Sequence, residues 1–202
     1  NLKTKLQLIK SFHTDIVKEL FQKNRQSVLK IIESVFNEID KFLKLNKEND
    51  YNFIYDQLVS YGEILSSVII SEYLNSIGLK SKWVDARSCI KTDQYYRDAN
   101  VDFEKTSNSI KRKIKGKGLF ISQGFIGSNK KSFTTTLGRE GSDYSAAIFA
   151  HALNAESVTI WKDVRGVLNA DPRYFNKTKL LNKISYEEAI ELAFYGASVI
   201  HP

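Results

Sequence analysis

"TTTLGREGSDYSAAIFAHALNA", residues Thr134 to Ala155, sets a polar, glycine-flanked turn directly before an amphipathic helix. Gly138, Arg139, Glu140, Gly141, Ser142 and Asp143 make the turn, and from Tyr144 onward Ala146, Ala147, Ile148, Ala150 and Leu153 recur at helical spacing. A helix start offers unpaired N–H groups and the positive end of the macrodipole, so an anion is the natural occupant of the space in front of it. Two readings of the turn are open. In one, Ser142 or Asp143 is a helix N-cap and the glycines relieve backbone strain. In the other, Arg139 supplies a forked cation for a carboxylate, and Asp143 orients a metal or a cationic group.

Downstream, "SVTIWKD" (Ser157 to Asp163) reads as a strand, so that helix and strand together form half of a βαβ-like unit. Open α/β sheets bind ligands beyond the carboxyl ends of their strands, which puts Lys162, Asp163 and the loop to Arg173 where a nucleotide would go. The alternative is a pair of plain turns at "DVRG" and "ADPR". Upstream, "KSKWVDA" and "KGLFISQGF" are further strand candidates, and "GFIGSNKKSFTTTLG" reads as two strands joined by a polar turn.

The N-terminal third is helical. Leu2, Leu6, Ile9, Ile16 and Leu20, then Val28, Ile31, Ile32, Val35, Ile39 and Leu43, recur at three- and four-residue steps to about Asn46, which predicts a helical hairpin across "QKNRQ". "YDQLVSYGEILSSVIISEYLNSIG" resumes the period as far as Gly78, a C-cap residue, and "SYGE" is read as placing Glu63 at a helix start. Near the C-terminus Ser185 and Glu188 form a capping box ahead of Ala189, Ile190 and Leu192, closed by Gly196. The result is a layered α/β chain with no internal repeat and no linker.

Lys and Arg total 30 against 23 acidic residues, a net +7 that favours anionic ligands without naming one. "SIKRKIKGKG" (Ser109 to Gly118) holds the densest basic run and lacks the interleaved aromatics of a single-strand nucleic-acid groove, so it reads as a solvated helix face and nucleic acid is not an expected partner. A single cysteine, Cys89, and three scattered histidines give neither a disulfide framework nor a metal-ligand spacing. No apolar run is long enough for a bilayer and no signal pattern opens the chain, so the expectation is a cytoplasmic protein with no membrane partner. Neither GxxxxGK[ST] nor GxGxxG is present. With no methionine, the chain reads as part of a longer one.

"YGEILSS", "WVDARSCIKTD", "SQGFIGSN", "TTTLGREGSDYSAA", "IWKDVRGVLNADPR" and "ISYEEAIELAFYGASVIHP", in this order from Tyr61 to Pro202, resemble the aspartokinase branch of the amino-acid kinase family. The resemblance implies a three-layer αβα sandwich with a mainly parallel central sheet, occupying residues 1–202 as a single kinase domain truncated at both ends. It implies ATP- and Mg²⁺-dependent phosphorylation of the L-aspartate side-chain carboxylate, by a full-length homodimer. By the same resemblance Arg139 clamps a substrate carboxylate, and Gly141 and Ser142 line the amino-acid pocket with Phe125 as a wall. Glu63 takes the substrate ammonium, and Asp143 organises the catalytic lysine and the nucleotide's metal. Lys162 and Asp163 meet the nucleotide, Leu168 lies beside the adenine, Arg173 lies near the phosphates, and Ser198 stands where the family often has a nucleotide-contacting lysine. The family's Lys-Phe-Gly-Gly-Thr-Ser turn and its regulatory ACT repeats have no match here, which implies that this stretch alone is inactive. Kinases of glutamate, acetylglutamate or UMP are the sibling alternatives, and a non-catalytic scaffold is the third.

Overall fold

The computed structural model describes residues 2–196. The hairpin expected from the periodicity is α1 (Leu2–Leu20) and α2 (Arg25–Leu45). Arg25 closes α1 by donating from Nε to Phe21 O and from Nη2 to Lys18 O, each at 2.9 Å, so two end carbonyls are satisfied by the first residue of the next helix. After an Asp50 N-cap, α3 runs unbroken from Tyr51 to Ser76, and Gly78 follows in the left-handed region at φ +90°.

β1 (Ser81–Val84) pairs in parallel with β2 (Leu119–Ser122), Ser81 opposite Leu119 and Val84 opposite Ser122. The crossover between them carries a 3₁₀ turn at Ala86–Ser88 and α4 (Phe103–Lys113), the arrangement that parallel pairing requires. Lys111, Arg112 and Lys113 occupy the last turn of α4 while Ile110 is fully buried, so the basic run is a helix end that complements the dipole. β3 (Ile126–Ser128) and β4 (Thr134–Thr136) form the expected antiparallel hairpin.

α5 (Gly141–Leu153) packs on α4, and two apolar clusters lie on either side of the strands. One joins Val17, Phe21, Val28, Ile32 and Phe36 to Ile64, Leu65 and Ile69 of α3. The other joins Ile90, Ile110, Leu137, Ile148 and Ala152. Helices therefore flank the strands, in a mixed α/β fold with a parallel pair. α6 (Tyr186–Phe194) begins with the predicted capping box: Ser185 Oγ accepts from Glu188 N at 3.1 Å, and Glu188 Oε2 accepts from Ser185 N at 2.7 Å.

Two expectations are corrected. Ser157–Asp163 carries no strand ladder among the described residues, because a strand exists only with a partner and none is paired to it; Val158 is 49% exposed and Trp161 91%. Glu63 is not at a helix start but in the middle of α3, where the apolar period continues through Gly62 on both sides.

Candidate functional site

β2 runs out at Ser122, and the chain then turns against the start of α5. Gly124 and Gly141 permit this approach: a Cβ on Gly124 would lie 2.9 Å from Ser142 Cα, and one on Gly141 would lie 2.8 Å from Phe125 Cδ2. Ser145 Oγ fastens the contact by accepting from Phe125 N at 2.9 Å and donating to Gly141 O at 2.8 Å. Phe125 is held at φ +69°, and its carbonyl accepts from Leu137 N at 2.9 Å. Phe125 and Gly141, which the resemblance assigns to one pocket, are thus in contact, and Ser142 abuts Gly124 beside them.

Because the Gly124 contact is with Ser142 backbone, a methyl group there cannot be absorbed by a side-chain swing. Gly124→Ala is expected to cost roughly 1–3 kcal/mol through overpacking. It should push the β2–β3 loop off α5 and lower the melting temperature of the full-length protein.

Glu140, not Ser142 or Asp143, is the N-cap residue of α5; it sits at φ 53° and makes no side-chain capping bond. Ser142 N–H has no hydrogen-bond partner among the described residues, so a donor is left at the positive end of the helix. Arg139 precedes it, exposed and joined to no carboxylate among the described residues. Asp143, in the first turn, receives Lys162 Nζ at 2.7 Å from Oδ2, and the same ammonium lies 3.2 Å from Glu140 Oε2. The close carboxylate of Asp143, with the hydrogen bond to Glu140, raises the Lys162 pKa and keeps it an ammonium.

No hydrogen bond or ion pair joins the other marked residues to this cluster among the described residues. Glu63 is half-buried without a cation beside it, and burial raises its carboxyl pKa. Asp163 is exposed, whereas Leu168 is half-buried in an isolated antiparallel bridge with Leu180. Arg173 forks onto Asp171, its Nη2 2.7 Å from Oδ2 and its Nε 3.1 Å from both oxygens. Ser198 lies outside the described residues. Ser122 Oγ, shielded from solvent without a hydrogen-bond partner among the described residues, escaped the sequence reading, since one serine in an apolar strand carries no signal.

A second group of residues was also missed. Asp56 and Gln57 of α3 are buried against β4: Gln57 Oε1 accepts from Thr134 N at 3.1 Å and its Nε2 donates to Thr134 O at 2.8 Å, as a neighbouring strand would. Asp56 Oδ2 accepts from Thr136 N at 2.9 Å and Arg97 N at 3.0 Å, and Oδ1 accepts from Thr136 Oγ1 at 2.8 Å. These bonds hold the strand that leads into Arg139. The one sequence signal is two polar residues interrupting the apolar face of a long helix.

The described residues hold no group of three or more His, Cys, Asp or Glu able to bind a metal ion, and no helix among them is long and apolar enough to cross a membrane. Residues 6–202 match the model of the amino acid kinase family. The chain is 41% identical over 150 residues to lysine-sensitive aspartokinase 3 of Escherichia coli, covering 73% of this chain and 33% of that protein. It is 35% identical to chloroplastic aspartokinase 1 of Arabidopsis thaliana over 98% of this chain and 35% of that protein. It therefore spans about a third of these relatives' length. Among solved structures, aspartokinase III of E. coli in complex with aspartate and ADP superposes with a TM-score of 0.88 at 34% identity, over 98% of this chain and 45% of that one.

Proposed function

This chain belongs to the amino acid kinase family, and from that premise we propose that it is the kinase domain of an aspartate kinase. The reaction moves the γ-phosphoryl group of ATP to the side-chain carboxylate of L-aspartate. A carboxylate oxygen–phosphorus bond forms, the bond to the β-phosphate oxygen breaks, and ADP leaves. One observation carries the reading: Arg139 stands free of any carboxylate beside the open start of α5, next to the Asp143–Lys162 pair. The similar E. coli enzyme binds aspartate and ADP, which supports it.

In this reading Arg139 and the Ser142 N–H grip the amino acid's carboxylate while Phe125 walls the pocket. Lys162, Asp163, Leu168 and Arg173 form the nucleotide side, and Ser198 belongs with them. Asp143 would supply a carboxylate to the Mg²⁺ of a bound nucleotide, which takes one or two carboxylates plus phosphate oxygens. When bound, that ion supplies charge neutralisation on the phosphates. A homodimer and a cytoplasmic location complete the proposal.

The test is acceptor choice by the full-length protein, read as ADP release and as hydroxylamine trapping of the acyl phosphate. Aspartate is expected to give both signals. Preferential turnover of glutamate, acetylglutamate or UMP overturns the reading.

Glu63 adds a pH signature. An ammonium group arriving beside this half-buried carboxyl favours its ionised form, so aspartate binding is complete above the raised Glu63 pKa and is lost below it. Affinity should fall about tenfold per pH unit there. Titration calorimetry of aspartate binding measures the slope, and Glu63→Gln should flatten it; a slope that survives in Glu63→Gln assigns the proton elsewhere.

A further inference from the structure

Glu140 is assigned no role by the reading above, yet it occupies a costly place. Its φ of 53° is the left-handed region, which disfavours any residue with a Cβ, and its side chain makes no capping bond to α5 that would offset this. What it does make is the contact between its Oε2 and Lys162 Nζ at 3.2 Å. Lys162 in turn reaches Asp143 Oδ2 at 2.7 Å, and all three side chains are mostly shielded, at 31%, 24% and 15% exposure for Glu140, Lys162 and Asp143.

Lys162 comes from a stretch that needs such a tie. Ser157 to Asp163 has no strand ladder, and its apolar side chains Val158 and Trp161 face solvent. The ammonium of Lys162 therefore joins this unladdered stretch to the start of α5. Asp143 alone would leave that ammonium free to swing around a single carboxylate. Two carboxylates three residues apart at the helix start, both within reach of one Nζ, fix its direction.

We propose that Glu140 is a positioning residue for this reaction: its carboxylate holds Lys162 against the start of α5 and thereby pre-orders the nucleotide loop. The proposal rests on the kinase reading for the identity of the ligand, and on the ion-pair geometry for the role. Pre-ordering improves affinity by reducing what must be immobilised on binding.

The experiment compares the full-length parent with Glu140→Gly, Glu140→Gln, Lys162→Met and the Glu140→Gly/Lys162→Met double variant. The readouts are melting temperature, ADP affinity by displacement of a fluorescent nucleotide, and separate KM values for ATP and aspartate. Glycine suits the left-handed position, so Glu140→Gly should melt at or above the parent temperature while binding ADP about fivefold more weakly, and its KM for ATP should rise with little change in that for aspartate. Glu140→Gln, which keeps an acceptor without the charge, should recover part of the loss. Because Glu140 acts through Lys162, the double variant should bind no more weakly than Lys162→Met.

Unchanged or tighter ADP binding by Glu140→Gly overturns the proposal, as does a double variant whose loss is the sum of the two single losses. A parent that binds no nucleotide overturns both this inference and the kinase reading. Normal nucleotide binding with no turnover of aspartate overturns the kinase reading alone.

Discussion

Arg139→Ala in the full-length protein is expected to lower kcat/KM for aspartate about 30- to 1000-fold, while the KM for ATP stays within about twofold. The range is the worth of a bidentate guanidinium–carboxylate pair at a partly desolvated helix start, roughly 2–4 kcal/mol. The structure adds the reason that the whole of this is available to substrate: Arg139 is engaged with no carboxylate among the described residues, so nothing need be broken before it binds. Arg173 is the contrast, since its fork already rests on Asp171. Arg139→Lys keeps the charge but loses the fork, and should recover only part of the activity. Steady-state kinetics with each substrate varied separately, and circular dichroism to verify folding, make the measurement. An aspartate kcat and KM both within about twofold of the parent's, the range of ordinary surface substitutions, would remove the clamp assignment.

The helices were legible because their signal is local. The apolar period of α1, α2 and α5, and the Ser185–Glu188 pair before α6, need no knowledge of what lies across the fold, and each helix formed where its period lies. The β3–β4 hairpin was legible for the same reason, since its turn is contiguous in sequence. Ser157–Asp163 was not, although Val158, Thr159 and Ile160 have strand character, because pairing depends on a partner elsewhere. Gly62 misled in the opposite direction. Open space surrounds it, so it marks neither a helix end nor a close approach, and α3 passes through it to place Glu63 mid-helix.

The candidate site was half legible. The glycines of "GREGS" are legible as a turn, but the close approach of Gly124 to Ser142 and of Gly141 to Phe125 depends on what lies across the fold. The Lys162–Asp143–Glu140 ion pairs link residues 19 and 22 positions apart, respectively, across an unladdered loop, and no periodicity carries such a pairing. Polar residues buried in α3 are illegible for a related reason. Asp56, Gln57, Ser60, Ser67 and Ser71 lie on a helix face that would be apolar if it met only side chains. Asp56 and Gln57 instead meet backbone groups of β4, whose hydrogen bonds have to be completed somewhere.

Asp56 is where this matters most. Asp56→Ala is expected to destabilise the fold by roughly 3 kcal/mol, since it strips three donors of a buried acceptor and leaves the Arg97 and Thr136 N–H groups without one. The loss should be read locally, as amide exchange at Arg97 and Thr136 about a hundredfold faster than in the parent. It should also loosen β4 where the chain leads into Leu137, Gly138 and Arg139, so aspartate use falls with it. Asp56→Asn is the control for charge: its amide oxygen can still accept both N–H groups, and its cost should stay below about 1.5 kcal/mol. The parent also separates from both variants by pH. Burial raises the Asp56 pKa against the opposing hydrogen bonds, so the native state holds its proton more tightly than the unfolded chain does. The parent's stability should therefore be higher below the unfolded carboxyl range and decline as pH rises through the raised value, a decline that Asp56→Asn abolishes. If Asp56→Ala left both amides protected as in the parent, the carboxylate would be a passenger on α3, and the rigidity of the Arg139 turn would have to come from the contact of Gly124 and Phe125 with α5.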